Sequence, residues 1–278
     1  MLALAAPHPE AVAAGERAVA AGGNALDAAL AAAAMLAVVY PHQCALGGDL
    51  IALVRAPDGR TIAVVAAGTA PAAIADVAGG WDAVPRFGPH AVTVPGMLAG
   101  WQAIASLGAA LPLGSALTDA AAVAAAGHPV SAGLRRALES CEDAVRADPG
   151  LRGVFMAGDR VLEAGETVRQ PALAATLNRL AGDPEDFYRG RTARSLVAAL
   201  RAGGGVHTEA DFASYAAEVV PALCLRAAGA TWTVAPPPSA GAVLLGVLAA
   251  SAGSADPGDV LDAGVRGVHA RAMHLGDP

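Results

Sequence analysis

Residues 22–50 read GGNALDAALAAAAMLAVVYPHQCALGGDL, and this stretch decides the architecture. Asn24 is placed to cap a helix, because its side chain can accept a backbone N–H that the first turn leaves unpaired. The Ala- and Leu-rich run behind it meets no breaker before Pro41, so a helix to about Val39 is expected. Gly47-Gly48 then turns the chain into Leu50–Val54, a β-rich run joined to a second, Thr61–Val65, by Ala56-Pro57-Asp58-Gly59-Arg60. Pro, Asp and Gly at those places are a hairpin signal. An apolar helix leading into a hairpin belongs to a layered α/β architecture.

Working outward, Glu10–Ala21 reads as a helix ended by Gly22-Gly23. Thr93–Leu107 reads as another, with Pro95 in its first turn. Helical patterns fill Ser115–Ala147 except at Gly127-His128-Pro129, and Val154–Leu162 reads as a short hairpin around Ala157-Gly158-Asp159. Helices are expected over Pro171–Leu180 and Thr192–Ala202, and Thr208 with Asp211 resembles a capping box. Val219–Val234 is expected to hold two strands, and Pro236-Pro237-Pro238-Ser239 leads into a last helical region. No long repeat and no linker divides the chain, so one mixed α/β domain over residues 1–278 is the expectation.

Hydrophobic residues make up 55% of the 278, yet aromatics only 4%, so the interior must be filled by close packing of small side chains. Lysine is absent, and all 18 basic residues are arginine. That excludes Schiff-base and phosphate-loop lysine chemistry. A net charge of -7 without an arginine stripe argues against a nucleic-acid partner. The apolar run Ala28–Tyr40 is too short to cross a bilayer, and Met1–Ala6 lacks the basic start of a secretory signal. A cytoplasmic protein with no membrane partner is the expectation. Cys44, Cys141 and Cys224 are odd in number and widely spaced, which suits reduced thiols better than a disulfide framework or zinc site. His269 and His274, five apart, do not share a helix face well, so no metal or other cofactor is expected.

Eight collinear segments carry a resemblance. They are Gly22–Ala29 (GGNALDAA), Pro41–Leu50 (PHQCALGGDL), Ala91–Gly96 (AVTVPG), Gly127–Ser131 (GHPVS), Gln170–Leu177 (QPALAATL), Phe187–Gly190 (FYRG), Pro236–Ser239 (PPPS) and Leu275–Pro278 (LGDP). In this order they resemble the large subunit of the γ-glutamyltransferase family of N-terminal nucleophile hydrolases. The resemblance implies an α/β four-layer αββα sandwich, made as one precursor that cleaves itself and is completed by a second chain. The partner is then the small (β) subunit, whose N-terminal threonine is the nucleophile and whose own α-amine is the base. No catalytic residue is expected in this chain, and the other partner is a small-molecule acyl substrate.

One departure bears on specificity. The family's large subunit grips the α-carboxylate of the γ-glutamyl group with an arginine, in an RExAP or a GRAP segment, by the forked geometry usual for carboxylates. The matching stretch here is Val65-Ala66-Ala67-Gly68-Thr69-Ala70-Pro71, with Ala67 and Thr69 at the two arginine positions. A desolvated carboxylate left without its partner costs roughly 2–5 kcal/mol. The resemblance therefore implies a different acyl group, unless Arg55, Arg60 or an arginine of the small subunit stands in. Arginine-less homologues of this kind resemble those of antibiotic pathways that build 4-alkylproline units (lincomycin and pyrrolobenzodiazepine types), which hydrolyse a carbon–carbon bond and release an oxalyl group. Ala67, Gly68, Thr69 and His42 are the candidate substrate-binding residues. His42 either faces the pocket or caps a helix end, Asp49 either binds substrate or stabilises its turn, and Cys44 is expected to be a buried inert thiol. Trp81 and Trp101 are read as core or pocket wall.

Overall fold

The computed structural model describes residues 2–252, 254 and 256–274; the LGDP segment lies outside the described residues. Helices α1 (Pro9–Ala20) and α2 (Ala25–Val39) precede strands β1 (Leu50–Arg55) and β2 (Thr61–Ala66). There follow α3 (Ile74–Ala78), α4 (Met97–Ser106), α5 (Leu113–Ala126), β3 (His128–Pro129), α6 (Ala132–Ser140), α7 (Glu142–Ala147) and α8 (Pro149–Phe155). The two-residue strands β4 (Met156–Ala157), β5 (Arg160–Val161) and β6 (Thr167–Val168) lead to α9 (Pro171–Gly182), α10 (Asp186–Arg189), α11 (Arg191–Ala202) and α12 (Glu209–Ser214). Strands β7 (Glu218–Pro221), β8 (Leu223–Ala227) and β9 (Ala230–Val234) and helices α13 (Gly241–Ala250) and α14 (Pro257–His274) complete the order.

The chain divides into two compact units. The first comprises the residues up to Gly48, Ala70–Val94 and Ile104–Tyr215. It is mainly helical: α1 packs on α2, α2 on α5, and α5 on α9. Met35, Val38, Leu117, Leu177 and Leu180 are fully buried there. Small residues bring the helices close, as composition required: a Cβ on Gly15 of α1 would lie 2.9 Å from the Ala28 carbonyl oxygen of α2. A separate cluster of Val130, Leu134, Leu138, Val145, Phe155, Val161, Leu162 and Val168 gathers α6, α7, α8 and the short strands.

The second unit holds Asp49–Thr69, Pro95–Ala103 and the residues from Ala216 onward. Its antiparallel sheet has the order β1-β2-β7, with Leu50 opposite Ala66 and Arg55 opposite Thr61. Ala63, Val65 and Ala235 are buried together beside Val220 and Ala222. Gly100 of α4 lies against the sheet where a Cβ would come within 2.9–3.0 Å of Leu50 and Ala66. The β8–β9 hairpin carries α13, which packs on α14.

Most expected elements are present, with three corrections. The helix placed at Thr93 begins at Met97: Val94 precedes a proline, which disfavours the helical region for it. A helix at Pro149–Phe155 was not foreseen, although Asp148 accepts the Leu151 N–H at 2.8 Å as its cap and Pro149 opens its first turn. Val219–Val234 is divided among three strands rather than two, because β7 ends at Pro221, and β8 turns into β9 through Ala228 and Gly229, both with positive φ.

Candidate functional site

Much of the polar detail in the recognised segments builds scaffold. In GGNALDAA, Asn24 accepts from the N–H of Leu26 at 2.8 Å, and Asp27 accepts from the N–H of Asn24 at 2.7 Å, closing a capping box. Asp27 also reaches across the fold, accepting from Ala110 N–H and Leu111 N–H, each at 2.9 Å. Burial pushes its carboxyl up, but these backbone donors outweigh that and hold it below the usual carboxylate range. Gly23 is required by close approach, since a Cβ there would lie 2.7 Å from the Ala18 carbonyl oxygen.

Two further segments converge on the end of α2. Gln170 donates its Nε2–H to the Val38 carbonyl at 2.8 Å, and His128 Nε2 lies 3.1 Å from the same oxygen. The orphan carbonyl of a helix C-terminus is thereby satisfied from GHPVS and QPALAATL together. Burial holds the His128 imidazole below its ordinary pKa even though both ring nitrogens face carbonyls. FYRG is also structural: Asp186 takes the N–H groups of Arg191 and Thr192, and a Cβ on Gly190 would strike Asp186 Oδ1 at 2.1 Å. The Thr208–Asp211 capping box is present, and Asp211 additionally accepts the Ala72 N–H at 3.0 Å, which fixes the loop behind Thr69.

The expected substrate segment leaves the sheet at the end of β2. Ala67 and Gly68 are half-buried and Thr69 is exposed. Gly68 adopts φ +78°, in the left-handed region, so the turn between Ala67 and Thr69 suits glycine. No cation stands at this end within the hairpin. Arg55 pairs in register with Thr61, five residues from the Leu50–Ala66 pair, which is about 17 Å along the strand. Arg60 sits at the same distant turn, held by Asp58 at 2.6 Å. Both arginines of the hairpin therefore stand at the end opposite Ala67-Gly68-Thr69.

The charge that is present is negative. Asp49 directly precedes Leu50, so it stands at the Ala67 end of the hairpin. The turn-stabilising role expected for it is not seen: its carboxylate makes no hydrogen bond among the described residues. Solvent reaches it, yet crowding by surrounding protein pushes its pKa up.

His42 belongs to the first unit, whereas Ala67, Gly68 and Thr69 belong to the second. The His42 ring lies 4.2 Å from that of Tyr40, the residue that ends α2. A Cβ on Gly133, in the first turn of α6, would lie 3.2 Å from its Nε2. Its Nδ1 is buried without a hydrogen-bond partner among the described residues, and burial followed by the Arg136 charge lowers its pKa. Cys44, half-buried, has its thiol pushed up by burial, which suits the inert reading. Trp101 is fully buried, and Trp81 meets the His90 ring at 5.1 Å. Among the described residues no group of three or more His, Cys, Asp or Glu is arranged to hold a metal, and no helix is long and apolar enough to cross a membrane.

Comparison with known proteins gives the family and the fold. The model of the gamma-glutamyltranspeptidase family matches residues 11–272, and the chain belongs to that family. The oxamate amidohydrolase proenzyme of Klebsiella pneumoniae is 36% identical over 274 residues, 92% of this chain and 52% of that protein. The gamma-glutamyltranspeptidase of Helicobacter pylori superposes with a TM-score of 0.88 at 25% identity, covering 100% of this chain and 84% of that one. A structure of LmbA matches with a TM-score of 0.81 at 30% identity, over 89% of this chain and 47% of that one. The chain spans about half the length of the curated relatives it matches. The fold is that of the γ-glutamyltransferase-type N-terminal nucleophile hydrolases.

Proposed function

We propose that this chain is the large-subunit half of an autoprocessed threonine-nucleophile hydrolase whose acyl group is oxalyl rather than γ-glutamyl. The observation that carries the reading is the hairpin end at Ala67-Gly68-Thr69, which holds Ala67 and Thr69 at the positions the resemblance gives to arginine, with Asp49 at the same end of the strands. A γ-glutamyl donor carries its carboxylate three carbons from the scissile carbonyl and needs a distal anchor. An oxalyl group carries its carboxylate on the scissile carbon itself, so the distal end can be neutral or acidic. The likeness to an oxamate amidohydrolase supports this, since oxamate is the amide of an oxalyl group.

The companion small chain supplies the N-terminal threonine. Its hydroxyl oxygen bonds to the oxalyl carbonyl carbon while its amine takes the proton. In an amide substrate the C–N bond breaks and ammonia leaves with that proton. In the finer reading, which the likeness to LmbA favours, the broken bond is carbon–carbon. The electron pair then remains on a dihydropyrrole carbon, which is protonated, and water releases oxalate from the threonine ester. The setting is a cytoplasmic antibiotic pathway.

The deciding assay offers the assembled, processed protein both γ-glutamyl-p-nitroanilide and oxamate. Oxamate turnover is expected, with γ-glutamyl turnover lower by about 30-fold or more, the counterpart of a roughly 2 kcal/mol loss. Robust γ-glutamyl turnover overturns the reading and favours an anchor from the small subunit. A protein that never yields a chain beginning at threonine is a non-catalytic homologue. In the processed protein, Thr69→Arg is expected to raise kcat/KM for the γ-glutamyl donor by roughly ten-fold.

A further inference from the structure

Within the first unit, a half-open cavity of about 180 Å³ lies between α1, α2 and the beginning of α5. Its wall is apolar, built from Ala14, Ala18, Leu30, Ala31 and Ala116. Small side chains leave the space, and its volume is enough for a single ring: an enclosed apolar cavity of about 150 Å³ holds benzene.

Three charged groups line it, and their bonding limits what can enter. Both oxygens of Asp27 are occupied by the N–H groups of Asn24, Ala110 and Leu111. Arg17 directs Nε and Nη2 to one oxygen of Asp119, Oδ2, at 3.2 and 2.7 Å. That leaves the Nη1 donor of Arg17 and the Oδ1 acceptor of Asp119 without a hydrogen bond among the described residues. Both side chains are partly exposed, at 48% and 39%.

We propose that this cavity binds a small neutral molecule with one flat apolar ring and a primary carboxamide. The carboxamide oxygen accepts from Arg17 Nη1, its N–H donates to Asp119 Oδ1, and the ring fills the alanine-lined space. A carboxylate is disfavoured because it adds a second negative charge beside Asp119, and an ammonium because it meets the Arg17 charge.

The test titrates the purified protein with benzamide, benzoate and benzylamine and follows backbone amide resonances. Benzamide is expected to give saturable shifts confined to α1, α2 and the first turns of α5. Benzoate and benzylamine are expected to bind roughly ten-fold more weakly or less, the loss of one hydrogen bond to a charged group. Ala18→Leu fills the space and is expected to weaken benzamide by at least about ten-fold through exclusion. Absence of saturable shifts with benzamide, or equal binding of all three probes, overturns the proposal. The comparison of probes on the unaltered protein decides it even if Ala18→Leu fails to fold, and unchanged benzamide affinity in a folded Ala18→Leu protein also overturns it.

Discussion

Two turns, one that keeps a family motif and one that departs from it, use their polar atoms in opposite ways. At Gly22–Asp27 the side chains of Asn24 and Asp27 are saturated by backbone N–H groups, two of which come from residues 110 and 111. At Ala67–Thr69 there is no charged side chain, and the nearest one along the hairpin is Asp49, whose carboxylate is hydrogen-bonded to nothing among the described residues. A saturated carboxylate holds a fold and has nothing left for a ligand. A hairpin end whose carboxylate is unbonded has its chemistry still available. The difference separates a scaffold turn from the candidate segment that the resemblance singles out.

The largest effect that can break this contrast is expected at Asp27. Asp27→Ala removes a buried acceptor and orphans three backbone donors, each costing about 1–3 kcal/mol. A loss of about 3 kcal/mol or more in denaturant unfolding is expected, with Asp27→Asn milder. A loss below about 1 kcal/mol would deny the clasp its scaffold role.

Next is the point where α4 braces the hairpin. Gly100→Val places carbon within 3.0 Å of Leu50 and Ala66, beside the candidate segment. Overpacking of this kind costs about 1–3 kcal/mol. Turnover by the processed enzyme should fall further than stability alone explains, because Ala67 directly follows the displaced strand. Unchanged kcat/KM in a folded Gly100→Val protein would remove the hairpin end from the site.

Acid unfolding should sharpen the contrast further by proceeding in two stages. His8, His42 and His128 all lie below the ordinary histidine value, in each case chiefly through burial. The unfolded chain therefore binds more protons, and stability falls as pH drops below about 6.5. Depressed carboxylates act later. Glu166 is held to about 2 by the Arg160 side chain and the Glu163 N–H, and Asp27 is also lowered. Their contribution is complete above about 4.3 and is lost as pH falls toward their folded values. Urea midpoints measured from pH 8 to 3 should show both limbs, with His128→Gln flattening the first. A single limb near pH 4 would mean that the histidines titrate alike in both states.

How far the sequence disclosed these two turns follows from the range of the forces involved. The Asn24 cap, the β1–β2 hairpin and the Thr208–Asp211 box are local, each closed within a few residues by backbone geometry, and all were legible. The Asp27 bonds to Ala110 and Leu111 span more than eighty residues, and no spacing rule reveals them. His128 and Gln170 meeting at Val38 is likewise a tertiary event, although buried polar side chains must find partners. The start of α4 lies beyond the expected Thr93 because Pro95 restrains Val94 away from helical geometry as well as suiting a first turn. At the candidate site, the missing arginine was visible by resemblance, but the distance of Arg55 and Arg60 from it needed the strand register.

That register supports the smallest prediction. Arg60 is 77% exposed and bound to Asp58, and an exposed pair of this kind contributes about 0–1 kcal/mol. Arg60→Ala should therefore change stability by less than about 0.5 kcal/mol. Its kinetic effect is the sharper test of the two turns. If Arg60 were a relocated anchor, its loss would raise KM for γ-glutamyl-p-nitroanilide and leave that for oxamate unchanged. With Arg60 about 17 Å from the segment, neither KM should move. A selective rise in the γ-glutamyl KM would mean that the long arginine side chain, with a mobile turn beneath it, reaches substrate after all, and the open hairpin end would then be an anchored one.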